Sequence, residues 1–170
     1  MKRIAILGAE SSGKSTLAAA LAQRYDTVWV PEYLREFVET RQRVPFDSDQ
    51  FFIASMQLER ERLAEASARD FLFCDTTPLM TAIYSGFYFG GADRQLAALT
   101  ASSRYDATLV TAPDSPWVAD GLQRESESVR QAIHRQLLLE LARRQIPYLM
   151  VDGSLERRME QAGQLLSSLL

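Results

Sequence analysis

The nine residues "GAESSGKST" at 8–16, set between the apolar run Ile4–Leu7 and the helical stretch "STLAAALAQR" at 15–24, constrain this chain more than any other segment. Gly8, Gly13, Lys14 and Ser15 fit G-x-x-x-x-G-K-[ST], in which the glycines let the backbone curl until its N–H groups converge on an anion. The helix that follows adds its positive N-terminal dipole. A strand running into such a loop and then into a helix is the first unit of a parallel α/β sheet. Lys14 is one of only two lysines among 19 basic residues, so the position selects a compact ammonium rather than positive charge in general. Gly8, Glu10, Ser11, Ser12, Gly13, Lys14, Ser15 and Thr16 are the expected nucleotide contacts, with Lys14 on the outer phosphates of ATP and the Ser15 hydroxyl on Mg²⁺.

Further apolar runs recur at 27–30, 71–74, 107–111 and 147–151, with helical stretches between them. That alternation predicts a P-loop fold: a five-stranded parallel sheet with helices on both faces. No linker, repeat or low-complexity tract interrupts it, so residues 1–170 are expected to form one domain. The longest helical candidate spans 47–69, with Phe52, Met56, Leu63 and Ala66 near one face and "ERER" at 59–62 read as a solvated turn. A second helix is predicted over 126–145, capped by Ser126, with Val129, Ile133, Leu137 and Leu141 at four-residue steps. Trp29 is read as core, the aromatic cluster "YSGFYFGG" at 84–91 as core packing rather than the wall of a ring pocket, and His134 as a partly exposed helical residue.

Composition excludes several classes. The net charge is −3, which gives no general reason to expect a nucleic-acid partner. The single Cys74 cannot form an internal disulfide, and the longest uncharged stretch, 76–92, carries one proline and three glycines and is short for a membrane span. A soluble, cytoplasmic protein is expected. Asparagine is absent altogether, so the N-K-x-D guanine-reading motif of regulatory GTPases cannot exist here, and the lone His134 leaves no histidine pair for an H-x-G-H site.

In open α/β sheets, ligands gather beyond the carboxyl ends of the strands, so the polar residues following each run are the candidates for chemistry. Asp75, after "FLFC", is placed to serve Mg²⁺ opposite Ser15; its alternative is an N-cap of the next helix. Glu32, after the second run, could accept the proton of an attacking hydroxyl or hold it in line; its alternative is a surface pair with Arg35. Which of Glu32 and Asp75 is the base stays open. The segment "APDSPWVADGLQR" at 112–124 has the length of a lid that closes over nucleotide, with Arg124 stabilising the transferring charge.

Four phrases together, "GAESSGKSTL", "PEYLREFV", "FCDTT" and "SPWVADGL", resemble the P-loop ribosylnicotinamide kinases, found as the carboxyl-terminal domain of bifunctional NAD-biosynthesis regulators and as free-standing domains. The resemblance implies a nucleoside-kinase-like architecture with a lid and ATP-dependent phosphorylation of the ribose 5′-hydroxyl of nicotinamide riboside. It also implies an acceptor site drawing on Glu32, Tyr33, Arg35, Trp117 and Asp120, with Lys14, Glu32, Asp75 and Arg124 in the catalytic set. The family lid commonly reads D-G-L-R, whereas "DGLQR" puts Arg124 one place later. A deoxynucleoside or nucleotide kinase remains an alternative built from the same parts, and a recombinase-like ATPase one from another class.

Overall fold

The computed structural model describes residues 1–119 and 126–170. β1 (Lys2–Leu7) leads through the loop into α1 (Lys14–Arg24), followed by β2 (Trp29–Val30), α2 (Tyr33–Arg41), α3 (Gln50–Ala64) and β3 (Phe71–Asp75). α4 (Pro78–Phe89), α5 (Arg94–Ser102), β4 (Ala107–Thr111), α6 (Glu127–Arg143), β5 (Leu149–Val151) and α7 (Leu155–Ser167) complete the order. The five strands form one parallel sheet in the order β2-β3-β1-β4-β5, with β1 at its centre.

Alternation along the strands sorts the core into two layers, because successive side chains leave a strand on opposite faces. Ile4 and Ile6 join Leu17, Leu21, Phe71, Phe73 and Leu166 beneath α1 and α7. Ala5 and Leu7 join Met80, Ile83, Val110, Ile133, Leu137 and Leu141 beneath α4 and α6. The fully covered sheet explains why the runs read as continuously apolar. The two edge strands are shorter than their runs. β2 pairs only at Trp29 and Val30, leaving Trp29 partly buried against the core it was expected to occupy, and Pro147 cannot donate to the ladder ahead of β5.

The 126–145 helix and its Ser126 cap, whose hydroxyl accepts from the Val129 N–H, match expectation. The 47–69 helix does not. It opens with a 3₁₀ turn at Asp47–Asp49, ends at Ala64, and buries Gln50, Ile53, Ala54, Gln57 and Glu61, while Phe52 and Leu63 face outward at 43% and 60% exposure. Apolar spacing misidentifies this face because its buried polar side chains find partners inside the protein. Glu61 in particular, expected in a solvated turn, is fully buried, where it pairs with Arg3 and accepts from the Tyr105 hydroxyl at 3.0 Å.

Candidate active site

The phosphate loop crosses the end of the central strand, and its geometry follows from contacts on both sides. A Cβ at Gly8 would stand 2.2 Å from Thr111 Oγ1, so only glycine lets β1 turn this close to β4. Ser11 and Gly13 both take left-handed backbone conformations, at φ 57° and 87°, which bring successive N–H groups to one side of the loop. Ser12 is buried, its hydroxyl 2.6 Å from the Ala9 carbonyl oxygen and 2.7 Å from Thr111 Oγ1. Lys14 folds back inside the curl, with Nζ donating to the Ala9 carbonyl at 3.0 Å. Glu10 is half-buried and Thr16 exposed on the first turn of α1.

Asp75 ends β3 beside the loop at 1% exposure, and the Ser15 hydroxyl donates to its Oδ2 at 2.7 Å. Burial pushes the Asp75 carboxyl above its usual range, while Lys14, the Ser15 hydroxyl and Arg35 pull it back. Thr77, not Asp75, occupies the N-cap position of α4, without a side-chain capping bond, so Asp75 does not serve as that N-cap. Thr76, between them, is a β-branched residue at φ 73° whose N–H donates to the Ile6 carbonyl at 3.0 Å. Backbone of that kind is costly for threonine and gathers at functional sites. Paired hard oxygens from Ser15 and Asp75 suit Mg²⁺, which takes one or two protein ligands and completes its shell with phosphate and water. No cluster of three acidic, histidine or cysteine ligands exists among the described residues, and such a site does not require one.

Beyond Asp75 opens a cavity of about 520 Å³, lined by Glu32, Gln57, Thr76, Tyr84, Tyr88 and Phe89 among others. That volume lies within the range of small-molecule pockets. Glu32 occupies the N-cap position of α2, but its side chain does not cap the helix; it lines the cavity. Gln57 reaches across from α3, accepting the Tyr33 N–H at 2.8 Å and donating to the Pro31 carbonyl at 3.4 Å. Tyr33 itself turns to α3, its ring edge-on to Phe52 and under Arg60. Arg35 is exposed on α2, yet near enough for its charge to act on Asp75.

The aromatic cluster read as core is a correction. Phe87, Tyr88 and Phe89 are 42%, 49% and 41% exposed, and Tyr84 and Tyr88 stack with centroids 6.3 Å apart at the cavity wall. Their run closes α4, just before the left-handed Gly90. Gln57 and the 44–46 segment that lines the cavity bore no sequence signal.

Of the expected lid, 112–119 is described; Asp120 and Arg124 lie outside the described residues. Ser115 donates to the Ser11 carbonyl at 3.2 Å and the Val118 N–H to Ser11 Oγ at 3.2 Å. The first part of the segment therefore lies against the phosphate loop. Trp117 is half-buried there, and its indole N–H is buried without a hydrogen-bond partner among the described residues.

A protein-family model described as an AAA domain matches residues 3–158. The chain belongs to this family. Over 149 residues this AAA domain is 31% identical to the trifunctional NAD biosynthesis/regulator protein NadR of Salmonella typhimurium (strain LT2), a match covering 83% of the chain and 35% of the relative. It thus spans about a third of the curated relatives it matches. A crystal structure of NadR protein in complex with NR superposes with a TM-score of 0.77 at 21% identity, covering 99% of this chain and 51% of that one. Deoxyadenosine kinase from M. mycoides, with dCMP and dCDP as products, superposes at 0.69 and 14% identity, covering 98% and 99%. The expected P-loop fold is that of nucleoside and nucleotide kinases, and the resemblance to the NAD-biosynthesis regulators is a homology.

Proposed function

We propose that this AAA domain is an ATP-dependent kinase acting on the ribose 5′-hydroxyl of nicotinamide riboside, giving nicotinamide mononucleotide in the cytoplasm. The observation that carries the reading is the Ser15–Asp75 contact, which ties the phosphate loop to the end of β3, where the next residue, Thr76, lines an aromatic-walled cavity together with Glu32. A nucleoside in that cavity would have its base among Tyr84, Tyr88 and Phe89 and its hydroxyl toward Glu32. The homology to NadR favours nicotinamide riboside over other nucleosides.

In this reading the loop N–H groups and Lys14 hold the outer phosphates of ATP. Glu32 or Asp75 accepts the hydroxyl proton, and either orients that oxygen in line with the transferring group. Ser15 and Asp75 would hold Mg²⁺, which when bound neutralises charge on the phosphates. Tyr33 and Arg35 complete the acceptor side, and Trp117, Asp120 and Arg124 serve in the lid.

Incubation with ATP and a panel of nucleosides, followed by mass detection of products, tests this directly. Nicotinamide mononucleotide is the expected main product. Phosphorylation of deoxynucleosides instead would favour the second reading, supported by the likeness to deoxyadenosine kinase over nearly the whole of both chains. ATP hydrolysis stimulated by DNA, with no acceptor phosphorylated, would end both.

A further inference from the structure

Two arginines that no motif marks reach the phosphate loop from outside. Arg130 on α6 is 2% exposed; its Nη1 donates to the Ser11 carbonyl at 3.0 Å and its Nη2 to the Ser115 carbonyl at 2.7 Å, and it pairs with Glu127. Arg158 on α7 is 5% exposed; its Nη1 donates to the Ser12 carbonyl, its Nη2 to the Ala112 carbonyl at 3.1 Å and to the Asp114 carboxylate, and its Nε to the Gly153 carbonyl at 3.1 Å. Successive carbonyls of the loop, Ser11 and Ser12, thus each end on a separate buried guanidinium.

The consequence follows from the planarity of the peptide bond. In a trans amide the C=O and the following N–H point in opposite directions within one plane. A guanidinium holding the Ser11 carbonyl outward therefore turns the Ser12 N–H inward, and one holding the Ser12 carbonyl does the same for the Gly13 N–H. The left-handed Ser11 and Gly13 set those two N–H groups on one concave side, where an oxyanion would sit. Gly13 is doubly constrained, since a Cβ there would also come within 3.0 Å of Arg158 Nη1.

We propose that Arg130 and Arg158 are positioning residues for phosphate recognition: they preset the Ser12 and Gly13 N–H groups toward the anion and do not touch the nucleotide themselves. This rests on the reading of 8–16 as a nucleotide loop. The planar fork suits the task, because each guanidinium serves a loop carbonyl and at least one further carbonyl at angles fixed by its own plane, whereas the three donors of an ammonium rotate freely. Arg130 also ties the loop to Ser115, so the loop and the start of the 112–119 segment are held by one group.

Arg130→Lys and Arg158→Lys, with Arg157→Lys as control, test the proposal; Arg157 is exposed and pairs with Asp152. Binding of ATP and of inorganic triphosphate is measured by calorimetry, beside the melting temperature of ligand-free protein. Each of the two variants should bind both anions about tenfold more weakly, as expected for a lost charge-assisted hydrogen bond, and the control should match wild type. A lower melting temperature with both affinities within about twofold of wild type would mean a purely structural role and overturn the proposal. Wild-type protein that binds neither anion would overturn it together with the nucleotide-loop reading. Should a lysine variant fail to fold, nuclear magnetic resonance on wild type decides. The Ser12 and Gly13 amide signals should shift on adding triphosphate while the Arg130 and Arg158 guanidinium signals stay in place, and guanidinium signals that shift in their stead would make these residues phosphate ligands and overturn the proposal.

Discussion

Lys14 Nζ donates to the Ala9 carbonyl of its own loop and its charge acts on Asp75, so truncating it removes charge from the site and little apolar packing. Lys14→Ala should fold and lose about two to four kcal/mol of transition-state stabilisation, roughly two to three decades in rate; wild-type turnover in a folded variant would remove Lys14 from the site. The two carboxylates should separate by readout. Asp75 bonds Ser15 inside the loop's reach, and Glu32 lines the acceptor cavity. Asp75→Asn is therefore expected to raise the Mg²⁺ concentration needed for half-maximal rate. Glu32→Gln should lower turnover or raise the KM for the acceptor with ATP binding unchanged. A reversed pattern in steady-state kinetics would exchange their roles. At this scale the motif residues were legible because each needs a particular chemistry at a particular spacing, whereas no motif marks Arg158, and Arg130 is set apart only by following the lid segment, until the fold buries both.

Among the elements, α3 carries the clearest consequence of polar burial. Its Glu61 is fully buried and ties the helix to β1 through Arg3 and to the entry of β4 through Tyr105. Burial pushes the Glu61 carboxyl above its ordinary range, while Arg3 and the Tyr105 hydroxyl draw it down. A carboxyl raised in the folded state contributes stability that is complete below its unfolded pKa and is lost as pH rises through the folded one. Arg3→Met removes the main opposing influence, so the carboxyl should rise further and the loss steepen. We expect Arg3→Met to cost about 3 kcal/mol at neutral pH, as for breaking a buried pair, and markedly less near pH 5, where Glu61 can be protonated. Urea unfolding of variant and wild type at both pH values checks this. Taking the difference between them cancels Asp106, Asp114 and Glu140, whose lowered carboxyls lose their contribution on acidification in both proteins. An equal difference at the two pH values would place the stabilisation elsewhere than in the charge of Glu61.

For the molecule as a whole, the question is how the 112–124 segment responds when both substrates are present. Its first residues lie on the phosphate loop through Ser11 and Ser115, so nucleotide should be felt there directly. Trp29 packs against the sheet core and Trp117 lies in the segment, so a Trp29→Phe variant reports on Trp117 alone. Its fluorescence should change more with ATP and nicotinamide riboside together than with either, since closure must exclude water only in the ternary state; a signal indifferent to both would reduce the segment to an ordinary crossover. The sequence by itself determined the phosphate loop, the five parallel strands and the polar strand ends, because buried strands and phosphate loops impose local rules of spacing that a chain must satisfy within a few residues. Only the tertiary structure decided which face of α3 is buried, that the aromatics of α4 wall a cavity, and that Arg130 and Arg158 grip successive carbonyls of the loop. Each of these depends on partners far away in sequence. A buried polar group is stable only if a distant residue satisfies it, and an aromatic side chain becomes a wall only where the fold opens a cavity beside it.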